Sequence, residues 1–328
     1  MRPLLPLAAA LLALTPAAAA QGWTEAPDSL AGATGTLHGT LTLPASEGPV
    51  PVALLIAGSG PTDRDGDQGG RGPATLRKLA HALAEAGVAT LRTDKRGIGA
   101  SEAAARSVED GTYAGFVEDA ADWTDRLQAD PRFSTVSLVG HSEGGLFALA
   151  AARARRADAV VSLAGGGVPI TTTLRRQLSD SVRVPFPELR DEAAALIDAT
   201  EAGDPPTEVS PMLAGVLPPA MYPLMVEWAR WDPAAEAAAW DGPLLVVQGT
   251  TDRQVEVADA ELLAAAQPAA RLVVVDGMNH VLVQDSGTLM EQVGSSYFDA
   301  ARPLDPTLVA EVASFLLAVE PRTVAPAE

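Results

Sequence analysis

The 328-residue chain contains no cysteine, which removes disulfides, thiolate metal sites and a cysteine nucleophile together. Histidine is scarce: His38, His81, His141 and His280 are the four. They lie far apart, with no H-x-x-x-H pair, so the usual zinc-hydrolase pattern is missing. Lysine is nearly absent too, with Lys78 and Lys95 alone. Acidic residues outnumber basic ones, and the formal net charge is −19. A chain this acidic lacks the basic stripe that phosphate backbones require, which argues against nucleic acid as a partner. It is equally unsuited to anionic lipid surfaces and disfavours anionic substrates.

Long apolar runs are confined to the beginning. Arg2 supplies a positive start, residues 4–14 are apolar, and Ala18-Ala19-Ala20 is a small-residue cleavage site. The run contains Pro6 and is followed by Pro16, and it is short against the about 20 residues that span a bilayer. Residues 1–20 therefore read as a signal peptide, with the mature chain exported (periplasmic or secreted) from Gln21. The alternative is an uncleaved anchor, the one route by which a membrane becomes a partner. At the other end, residues 321–328 read as a flexible Pro/Ala tail. The remainder, in a chain that is 47% hydrophobic and 20% charged, has the composition of a globular protein.

Short apolar runs then alternate with helical patterns. Residues 35–43 alternate as an antiparallel strand does, and residues 50–57 are the denser run of a strand buried on both faces. A helix is expected over 73–86, with Pro73 in its first turn and Gly87 as its stop, and another over 113–128. Further strands are expected at 88–93, 135–139, 159–163, 243–248 and 271–275. Helices are expected from Glu143 and over 306–318. Strands alternating with helices imply an α/β architecture, a mostly parallel sheet covered on both faces. The alternation stops across 168–240, where 183–199 and 221–230 look helical between Pro-rich stretches. This block reads as a helical cap inserted over the strand ends. Trp228, Trp231 and Trp240 fall in it with Met212, Met221, Tyr222 and Met225. Most of these are expected to pack the block to the core, and a few to line an apolar pocket.

Gly140-His141-Ser142-Glu143-Gly144 is a G-x-S-x-G motif between an apolar strand and a helix. In that context the serine sits on a sharp turn with its oxygen exposed, and the helix start aims free N–H groups at a developing oxyanion. A nucleophilic serine needs a base, and the base an orienting acid. With the order Ser, acid, His, the one histidine after Ser142 is His280, in a loop past strand 271–275. Asp252 follows strand 243–248 in Gln248-Gly249-Thr250-Thr251-Asp252 and is the expected acid. Asp276 is its rival, only four residues from His280. One oxyanion N–H is expected from Glu143. The other is expected from the loop Gly58-Ser59-Gly60-Pro61 after strand 50–57, through the Ser59 N–H. A phosphate loop is the other reading of those glycines, but no G-K-[ST] and no G-x-G-x-x-G is present.

These segments resemble a family. Gly58-Ser59-Gly60-Pro61-Thr62-Asp63-Arg64-Asp65-Gly66, then Asp94-Lys95-Arg96-Gly97-Ile98-Gly99-Ala100-Ser101, then Gly140-His141-Ser142-Glu143-Gly144-Gly145 are similar to a bacterial branch of the α/β-hydrolases. That branch holds carboxylesterases and proteins called serine aminopeptidase-like. The resemblance runs from about residue 35 to 317. It implies an α/β-hydrolase fold with an eight-stranded sheet over 21–167 and 241–320 and a helical cap over 168–240. It implies no metal and no cofactor, and a small-molecule ester substrate with a short to medium acyl chain. The chain departs from many relatives at Ala57, where they carry histidine. The Asp63-Arg64-Asp65 and Asp94-Lys95-Arg96 clusters are expected to be ion pairs bracing the loops.

Three functions stay open. One is an ester hydrolase with Ser142, Asp252 and His280 as its triad, of which an acyltransferase is a variant. A second is a peptidase or amidase of the same fold, with carboxylates such as Glu188, Asp191 and Glu192 anchoring an α-amino group. The third is a catalytically silent binding protein. Oligomeric state is not legible in the sequence.

Overall fold

The computed structural model describes residues 22–322, apart from 106, 108, 109, 182 and 183. The expected signal peptide and most of the expected tail lie outside the described residues. Arg322, placed in that tail by its sequence, is pinned. Its guanidinium reaches Asp241 at 2.7 Å and lies over the Trp240 ring, and its N–H donates to Asp158.

Among the described residues, eight strands form one sheet in the order β1-β2-β4-β3-β5-β6-β7-β8. They are β1 (Trp23–Ala31), β2 (Thr36–Pro44), β3 (Val50–Ile56), β4 (Ala89–Thr93), β5 (Phe133–His141), β6 (Ala159–Leu163), β7 (Leu244–Gly249) and β8 (Arg271–Val275). The strands from β4 to β8 are mutually parallel, while β1 and β2 pair antiparallel at one edge. Strand β1 escaped the sequence reading because Glu25, Pro27 and Asp28 interrupt its pattern. Its partner lies on one side only, so an outward proline and charges cost it little.

Alternation along the strands splits the core. Val52, Leu54 and Ile56 of β3 face one side of the sheet, with Val246 of β7; Ala53 and Leu55 face the other, with Leu245 and Val247. The first side is covered by α2 (Tyr113–Gln128), α3 (Gly144–Arg155) and α9 (Val257–Ala266), and the second by α1 (Thr75–Glu85) and α11 (Pro306–Leu317). Helix α1 starts later than the sequence suggests, because Ala74 has left-handed backbone (φ 51). The preceding loop supplies the cap instead: Asp67 accepts from the Ala74 N–H at 2.7 Å, and the Asp65 carbonyl accepts from Leu76 and Arg77.

Between β6 and β7 the described residues make five α-helices rather than the two helices expected: α4 (Ile170–Ser179), α5 (Pro187–Ala202), α6 (Pro211–Val216), α7 (Tyr222–Trp228, entered through a 3-10 turn over Pro219–Met221) and α8 (Pro233–Ala239). Proline sets the divisions. It stands in the first two positions of α5, α6, α7 and α8, where it loses no hydrogen bond, and it prevents any of them from continuing the one before. This block has its own small core of Ala193, Leu196, Leu213, Tyr222 and Met225. It is fastened to the sheet domain by polar contacts: Glu227 accepts from the Tyr113 and Ala114 N–H groups at the start of α2, and Arg176 pairs with buried Asp259. Helix α10 (Leu289–Gly294) follows β8.

Candidate active site

The strand order reverses at β3. The chain goes from β3 to β4 on one side, then returns to place β5 on the other. In open α/β sheets the crevice at such a reversal, beyond the carboxyl ends of the strands, is where ligands bind. Ile56 and Gly140 pair at the end of β3 and β5, so the loops opening there, from Ala57 and from His141, are side by side.

Ser142 occupies that point with left-handed backbone, φ 56. For a residue with a side chain this costs on the order of 1–3 kcal/mol, borne by the contacts on either side. The Ser142 N–H donates to the Leu163 carbonyl at 2.8 Å, and helix α3 begins two residues on. The flanking glycines are required by close approach: a Cβ on Gly140 would lie 2.0 Å from the Gly144 carbonyl oxygen, and one on Gly144 would lie 2.4 Å from that of Ile56. The sharp strand-to-helix turn expected from the motif is therefore present.

His280 and Asp252 meet. The His280 Nδ1 lies 2.8 Å from Asp252 Oδ2, both residues being buried. Asp252 is gripped on both oxygens: Oδ2 also accepts from Gln248 Nε2 at 3.0 Å, and Oδ1 accepts from the Gln254 and Val255 N–H groups at 2.7 and 3.0 Å. Burial works against its charge, but the neighbouring His280 and these donors hold its pKa below the ordinary carboxylate value. An ionised acceptor fixes the proton of neutral His280 on Nδ1 and leaves Nε2 free to accept. The rival Asp276 accepts instead from the Thr250 hydroxyl at 3.0 Å and is exposed.

His280 comes from β8, three strands from β5 in the sheet order. Two residues whose part the sequence reading did not identify bring it back. His141 Nε2 donates to the His280 carbonyl at 2.8 Å, the two rings 5.0 Å apart. A carbonyl only accepts, so this bond fixes the His141 proton on Nε2. Burial, with His280 beside it, pushes the His141 pKa down to about 4. Asn279 is fully buried, and its Oδ1 accepts from the Val281 and Val283 N–H groups while its Nδ2 donates to Ser296. His141 belongs to the G-x-S-x-G motif and Asn279 directly precedes His280, but only the folded loop shows what they hold. Of the other two histidines, His81 stacks on Trp23 and meets Glu25.

Two cavities open at Ser142. The smaller, of about 170 Å³, is lined by Ser142, His280, His141, Ser59, Gln68 and Arg71. The larger, of about 490 Å³, is mostly apolar and runs under the inserted helices, where Leu146, Leu217, Met221, Leu224, Met225 and Trp228 line it. Of the singled-out aromatic and methionine residues, Met221, Met225 and Trp228 reach it, whereas Trp240 and Trp231 pack in the main core. Glu143 is the carboxylate among its lining residues. Burial raises the Glu143 pKa to about 7, with Lys95 acting in the opposite sense. The carboxylates expected to anchor an α-amino group do not line it: Glu188 and Asp191 are exposed on α5, and Glu192 bonds the Ser210 hydroxyl and N–H.

The loop after β3 closes the site. A Cβ on Gly58 would stand 3.0 Å from that of Ser142. Ser59 and Glu143 line the cavity with Ser142, and among the described residues no carbonyl accepts from either N–H. The charged clusters are largely ion pairs, those of Arg64 and Asp65 bracing this loop and that of Arg96 tying the loop after β4 to α2. Arg64 meets Asp94 at 2.5 Å, Arg77 meets Asp65 at 3.0 Å, and Arg96 holds Asp119 through two bonds of 2.7 and 2.6 Å. Lys95 departs from that expectation. Its ammonium donates to the carbonyls of Gly58 and Gly60 at 2.6 and 2.7 Å.

Residues 74–287 match the family described as serine aminopeptidase, S33. The chain is 26% identical over 258 residues to the esterase EstD of Thermotoga maritima, a match covering 76% of this chain and 59% of that protein. The chain thus spans about three fifths of the length of this relative. Among solved structures, it resembles Est1E of Butyrivibrio proteoclasticus (TM-score 0.54, 17% identity, 86% and 95% of the two chains). It also resembles an esterase of Pyrococcus furiosus (TM-score 0.57, 14% identity, 90% of each chain). The α/β-hydrolase GrgF of a Penicillium species is similar as well (TM-score 0.56, 20% identity, 89% and 98%). These likenesses establish the α/β-hydrolase fold.

Proposed function

Since the chain belongs to the serine aminopeptidase, S33 family, we propose that it is a serine hydrolase that cleaves carboxylic esters through an acyl-enzyme on Ser142. One observation carries this reading: a serine in strained backbone on a strand-to-helix turn shares a cavity with a histidine whose other nitrogen is held by a buried carboxylate. EstD, named an esterase, supports the same chemistry.

In the proposed cycle, His280 Nε2 takes the Ser142 proton as Oγ attacks the ester carbonyl. Asp252 stabilises the imidazolium and keeps its orientation. The Ser59 and Glu143 N–H groups receive the oxyanion, each worth about 3–4 kcal/mol in the transition state. His280 then gives its proton to the departing alcohol, so the alcohol must lie on the histidine's side, in the cavity of about 170 Å³. The acyl chain takes the apolar cavity of about 490 Å³, room for a short to medium chain. Water, activated by His280 in turn, releases the acid. Helices α4 to α8 act as a cap that forms the acyl wall, and its few polar groups favour an uncharged chain. We propose, from the signal expected at residues 1–20, that this chemistry takes place outside the cytoplasm; N-terminal sequencing of exported protein, expected to begin near Gln21, tests that.

A panel of nitrophenyl esters with acyl chains of two to twelve carbons, run beside aminoacyl amides, tests the function. Ester turnover should exceed amide turnover, and Ser142→Ala should lower kcat on the order of 10⁶-fold. Amide turnover equal to or above ester turnover, or hydrolysis by the alanine variant at the wild-type rate, would overturn the proposal.

A further inference from the structure

Lys95 is one of two lysines in the chain, and its ammonium is spent on two carbonyls rather than on a carboxylate. Those carbonyls, of Gly58 and Gly60, stand on either side of Ser59. The carbonyl between them, of Ser59 itself, accepts from the Thr62 hydroxyl at 2.8 Å. Three successive carbonyls are therefore fixed by side chains from within and beyond the loop. In a planar trans peptide the C=O and the following N–H point in opposite directions. Holding the Gly58 carbonyl toward Lys95 thus turns the Ser59 N–H the other way. The loop lies against Ser142, so close that a Cβ added to Gly58 would stand 3.0 Å from that of Ser142, and Ser59 borders both cavities.

We propose that Lys95 is a positioning residue for the oxyanion hole, clamping the peptides around Ser59 so that the Ser59 N–H aims at the oxyanion formed on a substrate bound to Ser142. This rests on the ester-hydrolase reading. The clamp has a second effect of the same sign. A cation on the carbonyl polarises the peptide, which strengthens the N–H as a donor. Keeping a cation here has a cost: burial lowers the Lys95 pKa, and the charge facing it is the Glu143 carboxylate. A neutral side chain would pack at lower cost, so the retained charge is explained by what it holds.

The test compares Lys95→Met with wild type in three readouts. Melting temperature reports folding. Steady-state hydrolysis of a nitrophenyl ester should lose about 10²-fold in kcat, as for one lost oxyanion donor, with KM within threefold. Binding of a trifluoromethyl ketone, whose alkoxide occupies the hole, should weaken by the same factor as kcat/KM, a coupling that a purely structural role would not produce. Lys95→Arg, which keeps a cation and donors, should recover kcat to within about tenfold of wild type. If the methionine variant does not fold, Lys95→Gln, which keeps an amide donor, carries the same comparison. A Lys95→Met enzyme (or the Lys95→Gln enzyme standing in for it) with kcat within threefold of wild type, or a loss of kcat/KM without the parallel loss of inhibitor affinity, overturns the inference. Fluorophosphonate labelling separates the two levels. A wild type that labels, with Lys95→Met labelling equally fast, sinks the clamp alone; a wild type that neither labels nor hydrolyses sinks the function and the clamp together.

Discussion

Replacing Asp252 with asparagine isolates the role of one proton. The substitution keeps the shape of the side chain and exchanges one acceptor oxygen for an NH₂ donor, and two orientations are available. With the NH₂ on the Oδ1 side, it faces the N–H groups of Gln254 and Val255 and leaves two backbone donors without a partner. With the NH₂ on the Oδ2 side, it faces His280 Nδ1 and Gln248 Nε2. Gln248 retains the Val255 carbonyl at 3.0 Å, and His280 can accept if its proton moves to Nε2. Each orphaned buried donor costs about 1–3 kcal/mol, so the second orientation is preferred by roughly one such donor. In it, His280 presents an N–H to Ser142 where a lone pair is needed. The expected loss is on the order of 10⁴-fold in kcat, as for the wrong tautomer in a triad, or about 5.5 kcal/mol of barrier. Stability should fall by no more than about 2 kcal/mol. Nitrophenyl ester kinetics and thermal unfolding of the same preparation measure both quantities. Asp276→Asn is the control and should stay within about twofold, since that carboxylate bonds Thr250 rather than His280. An Asp252→Asn enzyme within tenfold of wild type, or an Asp276 variant as crippled as the Asp252 one, would refute the assignment.

Other outcomes follow from the same geometry. His141 has a folded-state pKa depressed to about 4 against an ordinary 6.5, so its contribution to stability is complete above pH 6.5 and is lost as pH falls toward 4. His141→Gln, which keeps a donor for the His280 carbonyl without titrating, should show a shallower fall in melting temperature over that window; an unchanged slope would contradict this. Glu143 is the opposite case: its pKa is raised to about 7 from 4.5, so its contribution is complete below pH 4.5 and is lost as pH rises through 7. Glu143→Gln should match wild type near pH 5 and exceed its stability by roughly 1–2 kcal/mol near pH 8, as read from denaturant midpoints, and a variant less stable at pH 8 would count against it. In the acyl cavity, each added methylene should raise kcat/KM about fourfold, from about 0.8 kcal/mol of burial, until the space is full. Met225→Trp should move that plateau to shorter chains, and an unshifted plateau would remove Met225 from the acyl wall.

Much of this is legible in the sequence alone, for identifiable reasons. The central strands read correctly because burial on both faces makes them dense apolar runs, and the order G-x-S-x-G, Asp252, His280 follows the strand order that carries the loops. Helix α2 was read to its ends because Thr112 caps it and its buried stripe is regular. Strand β1 was missed because an edge strand need not alternate cleanly. The inserted helices were miscounted because proline starts as well as stops them, and the sequence pattern alone does not say which. The parts played by His141, Asn279 and Lys95 were not legible because each bonds a backbone carbonyl or N–H, and such partners leave no mark in residue type. That Glu188, Asp191 and Glu192 do not reach the cavity has the same origin: they share α5, but the face they occupy follows from how α5 packs.

The proposed mechanism requires that Ser142 Oγ is the atom acylated. Wild-type protein treated with a fluorophosphonate and digested with trypsin should carry one adduct on the fragment 133–153, bounded by Arg132 and Arg153, with fragmentation placing it on Ser142 rather than on Ser134 or Ser137. Ser142→Ala should carry none. An adduct at any other residue, or an unlabelled wild-type protein that still hydrolyses esters, would contradict it.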